Sequence, residues 1–169
     1  KQLIRYEHLY KYKIIKPKPL YKYKKIISSS LIRRLLQNGK LNQANKFLDR
    51  EWSIEGKVIK GRQLGKKIGF PTANIDIKDY ILACPGVYAV RVRKEKNRKY
   101  IKGIANLGYR PTFNGKKLLL ETNIFGFNKN LYNKVINVSF KKFIRAEKKF
   151  RNFQDLKKQI KIDIKLAKK

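Results

Sequence analysis

The stretch VINVSFKKF, residues 135–143, alternates apolar and polar side chains with a period of two. In an extended chain Ile136, Val138 and Phe140 face one side of the strand, and Asn137 faces the other. This alternation is typical of a strand that buries one face in a core and leaves the other face polar. The stretch therefore predicts a half-buried β-strand.

The same period of two recurs in four other segments, near residues 52–60, 87–93, 100–107 and 118–125. No long helical pattern separates these segments, and short connections of this kind join antiparallel strands. The spacing favours an antiparallel sheet or a closed barrel. The fold class predicted from the residues is therefore mainly β.

The last segment of the chain changes to helical spacing. Apolar residues recur there at intervals of three and four, at Phe153, Leu156, Ile160, Ile164 and Ala167. Asn152 stands where a side-chain cap is expected. The pattern predicts a C-terminal helix that follows the barrel.

Residues 1–50 differ in pattern from the rest. In SSSLIRRLLQNGK a serine caps a helix and Gly39 ends it, and a second short helix follows, capped by Asn42. Prolines break any helix in residues 1–27 and favour short extended pieces there. We therefore expect a partial α/β segment over 1–50 and a separate β domain over 51–169.

The formal net charge of the chain is +33, from 44 lysines and arginines against 11 acids. Such a surface attracts nucleic acid, anionic lipid and phosphorylated ligands. The lysines, however, are spread along the whole chain, and Ile, Asn, Tyr and Phe are also abundant, which is typical of A/T-biased codon usage. Two interpretations stay open: a solvated lysine surface that reflects composition, or a polyanion partner. Charge alone does not assign a function.

The single cysteine, Cys84, excludes an internal disulfide and fits a reducing cytoplasm, with a buried structural thiol favoured over a reactive one. No apolar run reaches the length of a membrane span, and residues 1–27 lack the apolar centre of a signal peptide. We expect a cytoplasmic protein without a membrane partner. His8 is the only histidine, which argues against a Ser-His-Asp triad or a histidine-rich metal site.

Residues 65–75 read GKKIGFPTANI and begin on a loop. Loop glycines such as Gly61 and Gly65 allow backbone N–H groups to point at phosphate oxygens, and Lys66 or Lys67 can add positive charge. The stretch has no G-x-x-x-x-G-K-[ST] pattern, so it is not a P-loop. Its glycines indicate that a ligand approaches the backbone closely.

Pro71 fixes the chain before Thr72 and Asn74, whose side chains offer two neutral oxygens along an extended segment. Magnesium bound to a nucleotide takes only one or two protein oxygens, because phosphates and water supply the others. Thr72 and Asn74 are therefore candidate metal ligands. The alternative, equally open on local features, is a turn followed by an edge strand.

Two further segments carry charged side chains of interest. The sequence GYRPTF, residues 108–113, is typical of a turn, although its arginine would suit a phosphate. Glu121 is the only acid in the apolar stretch LLLETNIF, and a carboxylate on a rigid strand is suited to act as a general base. An equally open alternative is that Glu121 points to solvent from the outer face of a barrel strand.

The segment FIRAEKKF, residues 143–150, joins the last predicted strand to the C-terminal helix. Its Arg145, Lys148 and Phe150 combine an aromatic ring with cations, an arrangement that would anchor a flat, polar ligand. The alternative is a solvated basic loop.

Several motifs follow one another along the chain: GFPTAN, GVYAV, ANLGYRPTF, LETNIF, NLYN and FIRAEKKF. In this order they resemble the riboflavin kinase module of the bacterial bifunctional riboflavin kinase/FAD synthetase family. The resemblance covers residues 51–169. Residues 27–50 resemble the end of the adenylyltransferase domain of that family, whose nucleotide-binding beginning has no counterpart here.

The resemblance implies a six-stranded antiparallel barrel of the Greek-key type. It implies transfer of the γ-phosphate of ATP to the 5′-hydroxyl of riboflavin, which gives FMN. The substrates would be the small molecules riboflavin and ATP, with Mg²⁺, and no specific nucleic acid is expected as a partner. FMN adenylyltransferase activity is not expected from these 169 residues.

The resemblance also implies the residues around the nucleotide. Thr72 and Asn74 would bind Mg²⁺ and ATP. Gly61 and Lys66 would lie in the loop that covers the phosphates, and Tyr132 would neighbour the nucleotide.

On the acceptor side, the resemblance makes Glu121 the catalytic base. The residues that would contact the flavin are Arg145, Lys148 and Phe150. The chain departs from the usual family pattern at four positions, which hold Lys66, Asn123, Gly126 and Asn133 where arginine, histidine, aspartate and glycine are common.

Two rival functions stay open beside this resemblance. A basic nucleic-acid-binding barrel would use the lysines with interspersed aromatic residues, but it leaves Thr72, Asn74 and Glu121 without a role. A flavin-binding remnant without catalysis is the other.

Overall fold

The computed structural model describes residues 2–61, 63–77, 80, 83–94, 99–112 and 115–169. Its helices are α1 (Gln2–Tyr10), α2 (Ser29–Gln37), α3 (Leu41–Leu48), α4 (Leu64–Lys67) and α5 (Phe153–Lys168). Its strands are β1 (Tyr21–Lys22), β2 (Lys25–Ile26), β3 (Ser53–Ile59), β4 (Ala73–Asp76), β5 (Gly86–Lys94), β6 (Ile101–Thr112), β7 (Gly115–Ile124) and β8 (Val135–Ala146).

Six strands close into a barrel in the order β3-β4-β7-β6-β5-β8. Every neighbouring pair in it is antiparallel. The barrel interior is filled by apolar side chains, among them Ile75, Leu120 and the alternating Ile136, Val138 and Phe140 of β8. The predicted mainly β fold with a six-stranded antiparallel barrel and a C-terminal helix is therefore confirmed.

The structure excludes one open alternative for the barrel and contradicts one local prediction. β4 is not an edge strand, because it pairs with β3 on one side and with β7 on the other. The stretch 108–112 is not a turn, because β6 continues to Thr112 and stays paired with β7 from Gly103 to Thr112. The lysine-rich segment KEKNRK, residues 94–99, is by its composition expected to be a hairpin loop. Its residues 95–98 and Phe113 lie outside the described residues.

Helices α2 and α3 pack beside the barrel and close one side of the core. The cap of α2 is Ser28, whose side chain accepts a hydrogen bond from the Leu31 amide, as predicted. The cap predicted at Asn42 is wrong: α3 begins one residue earlier, Lys40 precedes it, and no side chain caps it. The backbone N–H of Cys84 donates to the Leu36 carbonyl at 2.9 Å, which ties α2 to the start of β5.

The N-terminal residues form α1 and a small β1–β2 hairpin. The hairpin agrees with the short extended pieces predicted for this segment. Helix α1 was not predicted, and it ends at Tyr10, well before the two prolines that were taken to prevent a helix.

Helix α5 lies against the outside of the barrel, in contact with β5, β6 and β8. Its cap is Asn152, as predicted, and the Asp155 amide donates to that side chain at 2.9 Å. The predicted apolar stripe fails at its first residue, because Phe153 is 65% exposed. The buried residue of the helix is instead Asp163, whose carboxylate pairs with Arg145 at the end of β8. Among the described residues, no helix is both long and apolar enough to cross a bilayer.

Candidate active site

Three polar residues form a row across the outer face of the barrel. Asn74 on β4 lies directly opposite Glu121 on β7, and Glu121 lies directly opposite Asn106 on β6. Directly opposed residues of antiparallel strands place their side chains on the same side of the sheet. Leu120, the neighbour of Glu121, is fully buried in the core, so the row faces outward.

The loop before β4 covers one end of this row. Asn74 is only 5% exposed although it faces outward. A side chain at Gly61 would clash with the amide group of Asn74, so the loop backbone lies directly over that side chain. Thr72, two residues before Asn74, lies at the same end and is half-buried.

The loop folds back on itself through Gly65. The Phe70 amide donates to the Gly65 carbonyl at 2.7 Å, and a Cβ at Gly65 would clash with the carbonyl oxygen of Phe70. Only glycine fits this approach, and Gly69 adds a left-handed turn with φ of +88°. Lys66 lies in the short helix α4 and is exposed to solvent.

Asn123 fixes the far end of the loop. Its side-chain amide donates to the Pro71 carbonyl at 2.7 Å, so β7 holds the residue that precedes Thr72. This departure from the usual histidine therefore has a structural function in this chain.

Tyr132 lies in the turn between β7 and β8, on the side of β3 next to Asn74. The Asn133 amide donates to the Val58 carbonyl at 3.0 Å, and the next residue along β3, Ile59, pairs with Asn74. Asn133 has φ of +60°, a conformation that glycine adopts freely and asparagine tolerates, so the backbone of the turn does not require glycine there.

A cavity of about 300 Å³ opens beside this turn. Its apolar lining includes Ile101, Ile124, Leu131 and Ile136. Four cations also line it: Arg93, Lys94, Lys99 and Lys129.

Glu121 is neither buried nor free in solvent. Its side chain is 30% exposed, and its Oε2 accepts a hydrogen bond from Nη2 of Arg110 at 2.9 Å. The Nη1 of Arg110 donates to Oε1 of Glu147 at 3.0 Å, so one guanidinium bridges two carboxylates. Burial opposes the charge of Arg110, but hydrogen bonds to Glu121 and Glu147 and their negative charges outweigh it and raise the pKa of Arg110.

The end of β8 and the segment after it bring together the three residues expected to contact flavin. The guanidinium of Arg145 and the ammonium of Lys148 lie 5.8 and 6.0 Å from the centre of the Phe150 ring. Arg145 is also bound to Asp163 by three hydrogen bonds of 2.7 to 3.0 Å, and it donates to the Ala146 carbonyl at 2.9 Å. Its guanidinium is therefore engaged within the protein.

The sequence-predicted residues thus form two groups on the outer surface. Asn74 and Glu121 lie on adjacent strands, Thr72 immediately precedes β4, and Gly61 lies over Asn74. Glu147 belongs to the segment of Arg145, Lys148 and Phe150, and through Arg110 it links that segment to Glu121. Sequence reasoning missed Asn106, Glu147 and Asp163. The alternation of Asn106, Gly108 and Arg110 in ANLGYR was the one available signal for Asn106.

A family model and the sequences of known proteins both match this chain, and they agree on one family. A family model described as Flavokinase, riboflavin kinase, matches residues 48–169. A bifunctional riboflavin kinase/FMN adenylyltransferase of Haemophilus influenzae is 46% identical over 142 residues, which cover 84% of this chain and 46% of that protein. The corresponding protein of Buchnera aphidicola subsp. Schizaphis graminum is 44% identical, over 95% of this chain and 52% of its own length.

A crystal structure from Streptococcus pneumoniae, described as a macrolide-efflux protein, shares the fold with a TM-score of 0.79 and 34% identity. The match covers 89% of this chain and 49% of that one. The chain therefore spans about half the length of the curated relatives it matches. Because the family model matches well over half of its residues, the chain belongs to the riboflavin kinase (Flavokinase) family.

Proposed function

We propose that this chain transfers the γ-phosphate of ATP to the 5′-hydroxyl of riboflavin and so forms FMN. The observation that carries the proposal is the direct pairing of Asn74 with Glu121, which sets a candidate metal ligand beside a candidate base on one face. Membership of the riboflavin kinase family supports the reaction, as do the names of the relatives from Haemophilus and Buchnera.

Thr72 and Asn74 form the proposed metal-nucleotide end. They offer neutral oxygens, and no cluster of three or more acids, histidines or cysteines suited to a metal occurs in the described part of the chain. This donor set fits an ion that takes most of its ligands from phosphates and water. When bound, Mg²⁺ would neutralise charge on the phosphates of ATP during transfer.

The loop over Asn74 is proposed to cover the phosphates. Its folded form depends on Gly61 and Gly65, which allow the backbone to lie close to Asn74 and to Phe70. Lys66 is exposed in that loop and can pair with a phosphate oxygen. These residues would exclude water and hold the chain of phosphates in line.

Glu121 is proposed to orient the 5′-hydroxyl of riboflavin and to accept its proton. Phosphoryl transfer depends mainly on alignment and charge neutralisation, so a carboxylate held on a strand beside the metal-nucleotide end is well placed for this task. The bond from Arg110 occupies Oε2, and a carboxylate can accept at both oxygens.

The flavin is proposed to meet the segment after β8, where Phe150 offers a ring and Lys148 a cation. Arg145 would act mainly by holding this segment against α5, because Asp163 already binds its guanidinium. On the nucleotide side, Tyr132 and the cavity beside Leu131 would accept the adenine, since the cavity is apolar with cations among its lining residues.

We also propose three properties that the sequence led us to expect: a domain boundary at residue 51, a cytoplasmic location and no specific nucleic-acid partner. The single thiol of Cys84 is unpaired, which agrees with a reducing compartment.

The test is to incubate the 169-residue chain with riboflavin and Mg-ATP and to separate the flavins by chromatography. We predict FMN without FAD, because the matched family model is that of the kinase. A control without Mg²⁺ should give no FMN. A folded chain that binds both substrates and forms no FMN would overturn the proposed kinase activity. Substantial FAD would overturn the second part of the prediction.

A further inference from the structure

One face of β6 is built to receive the side chain of Glu147. Asn106, Gly108 and Arg110 alternate along the strand and so share its outer face. Asn106 donates to Oε1 of Glu147 at 3.2 Å, and Arg110 donates to the same oxygen at 3.0 Å. Any side chain at Gly108 would clash with that carboxylate. The strand therefore has two donors on either side of a gap that the carboxylate fills.

The same arginine reaches Glu121. Its two terminal nitrogens divide between the carboxylates, Nη2 to Glu121 at 2.9 Å and Nη1 to Glu147 at 3.0 Å. The three side chains are each about one-third exposed, at 32%, 30% and 36% for Arg110, Glu121 and Glu147. Such charge-assisted bonds are stronger than neutral ones, and a planar fork fixes direction as well as distance.

The two carboxylates belong to different parts of the site. Glu121 is on β7 beside Asn74, whereas Glu147 lies in the segment after β8 that contains Lys148 and Phe150. In the sequence they are far apart, and β6 joins them through Arg110. A shift of the segment after β8 would therefore be transmitted to Glu121 through a single guanidinium.

We propose that Arg110 is a positioning residue that fixes the Glu121 carboxylate and couples it, through Glu147, to the segment that follows β8. The inference rests on the proposed kinase function and assigns Arg110 no contact with ATP. Arg110 would keep the Glu121 carboxylate in one orientation relative to the acceptor side of the site. This matters because a displacement of a catalytic group by about 1 Å can cost on the order of 10²-fold in rate.

The test is a double-variant cycle in steady-state kinetics, with riboflavin affinity followed separately by quenching of flavin fluorescence. Arg110→Ala should lower kcat by about 10²-fold, and Glu147→Gln by about 10-fold, with the KM for ATP within about threefold of the original. The double variant should be no slower than Arg110→Ala alone, because the removed interactions form one chain. Arg110→Lys should not restore the rate, because one ammonium does not reproduce the fork.

Arg91→Ala is the matched control. Arg91 forms a comparable ion pair with Glu51 at 2.8 Å on another part of the barrel, and its loss should leave kcat unchanged. Thermal unfolding of the Arg91 and Arg110 variants should be similar, since both ion pairs are exposed to a comparable, partial extent.

Three outcomes would overturn the inference: full activity of Arg110→Ala, additive effects in the double variant, or a defect confined to the KM for ATP. The last would make Arg110 a phosphate ligand instead. If the chain without any substitution makes no FMN, the proposed function itself is overturned. Failure of the inference about Arg110 and failure of the proposed function are therefore distinguishable.

Discussion

One close contact explains why residue 65, at the start of the stretch 65–75, is a glycine. The carbonyl of Phe70 occupies the space in which a Cβ at this position would lie, and the Phe70 amide binds the Gly65 carbonyl. The loop can therefore close over Asn74 only with glycine at position 65. Thr72 is affected as well, because its Oγ1 would lie 3.4 Å from that Cβ.

At the same scale, Thr72→Ala and Asn74→Ala should weaken the use of Mg-ATP more than the binding of riboflavin. Both side chains are assigned to the metal-nucleotide end, so the KM for Mg-ATP and the Mg²⁺ concentration needed for half-maximal rate should rise. Asn137→Ala is a suitable control, since Asn137 is also a buried asparagine but lies on β8 against Glu55. An unchanged Mg²⁺ dependence in both variants would remove the assignment.

The environment of Glu121 is an example of what the sequence did not predict. The position of Glu121 in an apolar stretch pointed to a base or to a solvent-facing residue, and neither interpretation predicted the ion pair with Arg110 that the structure shows. That pairing depends on the register of β6 against β7. Register is set by the whole barrel and leaves no local trace at either residue.

At the scale of elements, five of the six barrel strands were predictable because each is long enough to show a period of two. β4 has four residues, and its outward residue Asn74 is buried by the loop rather than exposed. The two faces of β4 therefore do not differ in burial as the faces of a half-buried strand would. The sequence also did not predict that β6 continues through Pro111, because glycine, proline and threonine are typical of turns.

Helix α5 is fixed to the barrel by a buried charge. Asp163 is 1% exposed and binds both Arg145 and Gln159. Its partner on β8 is 18 residues away, so helical spacing alone gave no reason to bury an acid there. The apolar residues around it led us to expect an ordinary hydrophobic stripe.

Asp163→Asn should destabilise the chain by about 3 kcal/mol, because removal of one partner leaves the other charge buried without compensation. Denaturant unfolding measures this effect. Asp155→Asn, on the first turn of the same helix and exposed, should cost less than about 1 kcal/mol. Equal unfolding free energies for the two variants would show that the buried pair does not hold α5 on the barrel.

At the scale of the whole molecule, the charge of +33 is the property least explained by the proposed reaction. Exposed cations on the described surface include Lys66 in α4, Lys142 on β8 and Lys161 in α5, which lie on different elements of the fold. A surface of dispersed lysines attracts any polyanion without reading its sequence.

We therefore predict that binding to nucleic acid is independent of sequence and fades steeply between 50 and 200 mM salt, by about 10³-fold or more if roughly six phosphates are contacted. Fluorescence anisotropy with two unrelated oligonucleotides at several salt concentrations tests this. Tight binding of only one of them at physiological salt would favour the rival nucleic-acid-binding function.

The fold and the family were thus predictable from long patterns and ordered motifs, whereas the links between segments were not. Arg110 with Glu147, Asp163 with Arg145 and Asn123 with Pro71 each join residues that only the tertiary fold brings together. These contacts depend on three-dimensional proximity that no local pattern encodes.

The central claim, that Glu121 is the base of a riboflavin kinase, is tested most directly by Glu121→Gln in a single-turnover measurement of FMN formation. Glutamine keeps the size of the side chain but cannot accept the proton, so the rate should fall by on the order of 10² to 10⁴. Affinities for riboflavin and ATP should stay near those of the original chain, as expected for an interaction used mainly in the transition state. A folded variant that forms FMN at the original rate would contradict the account.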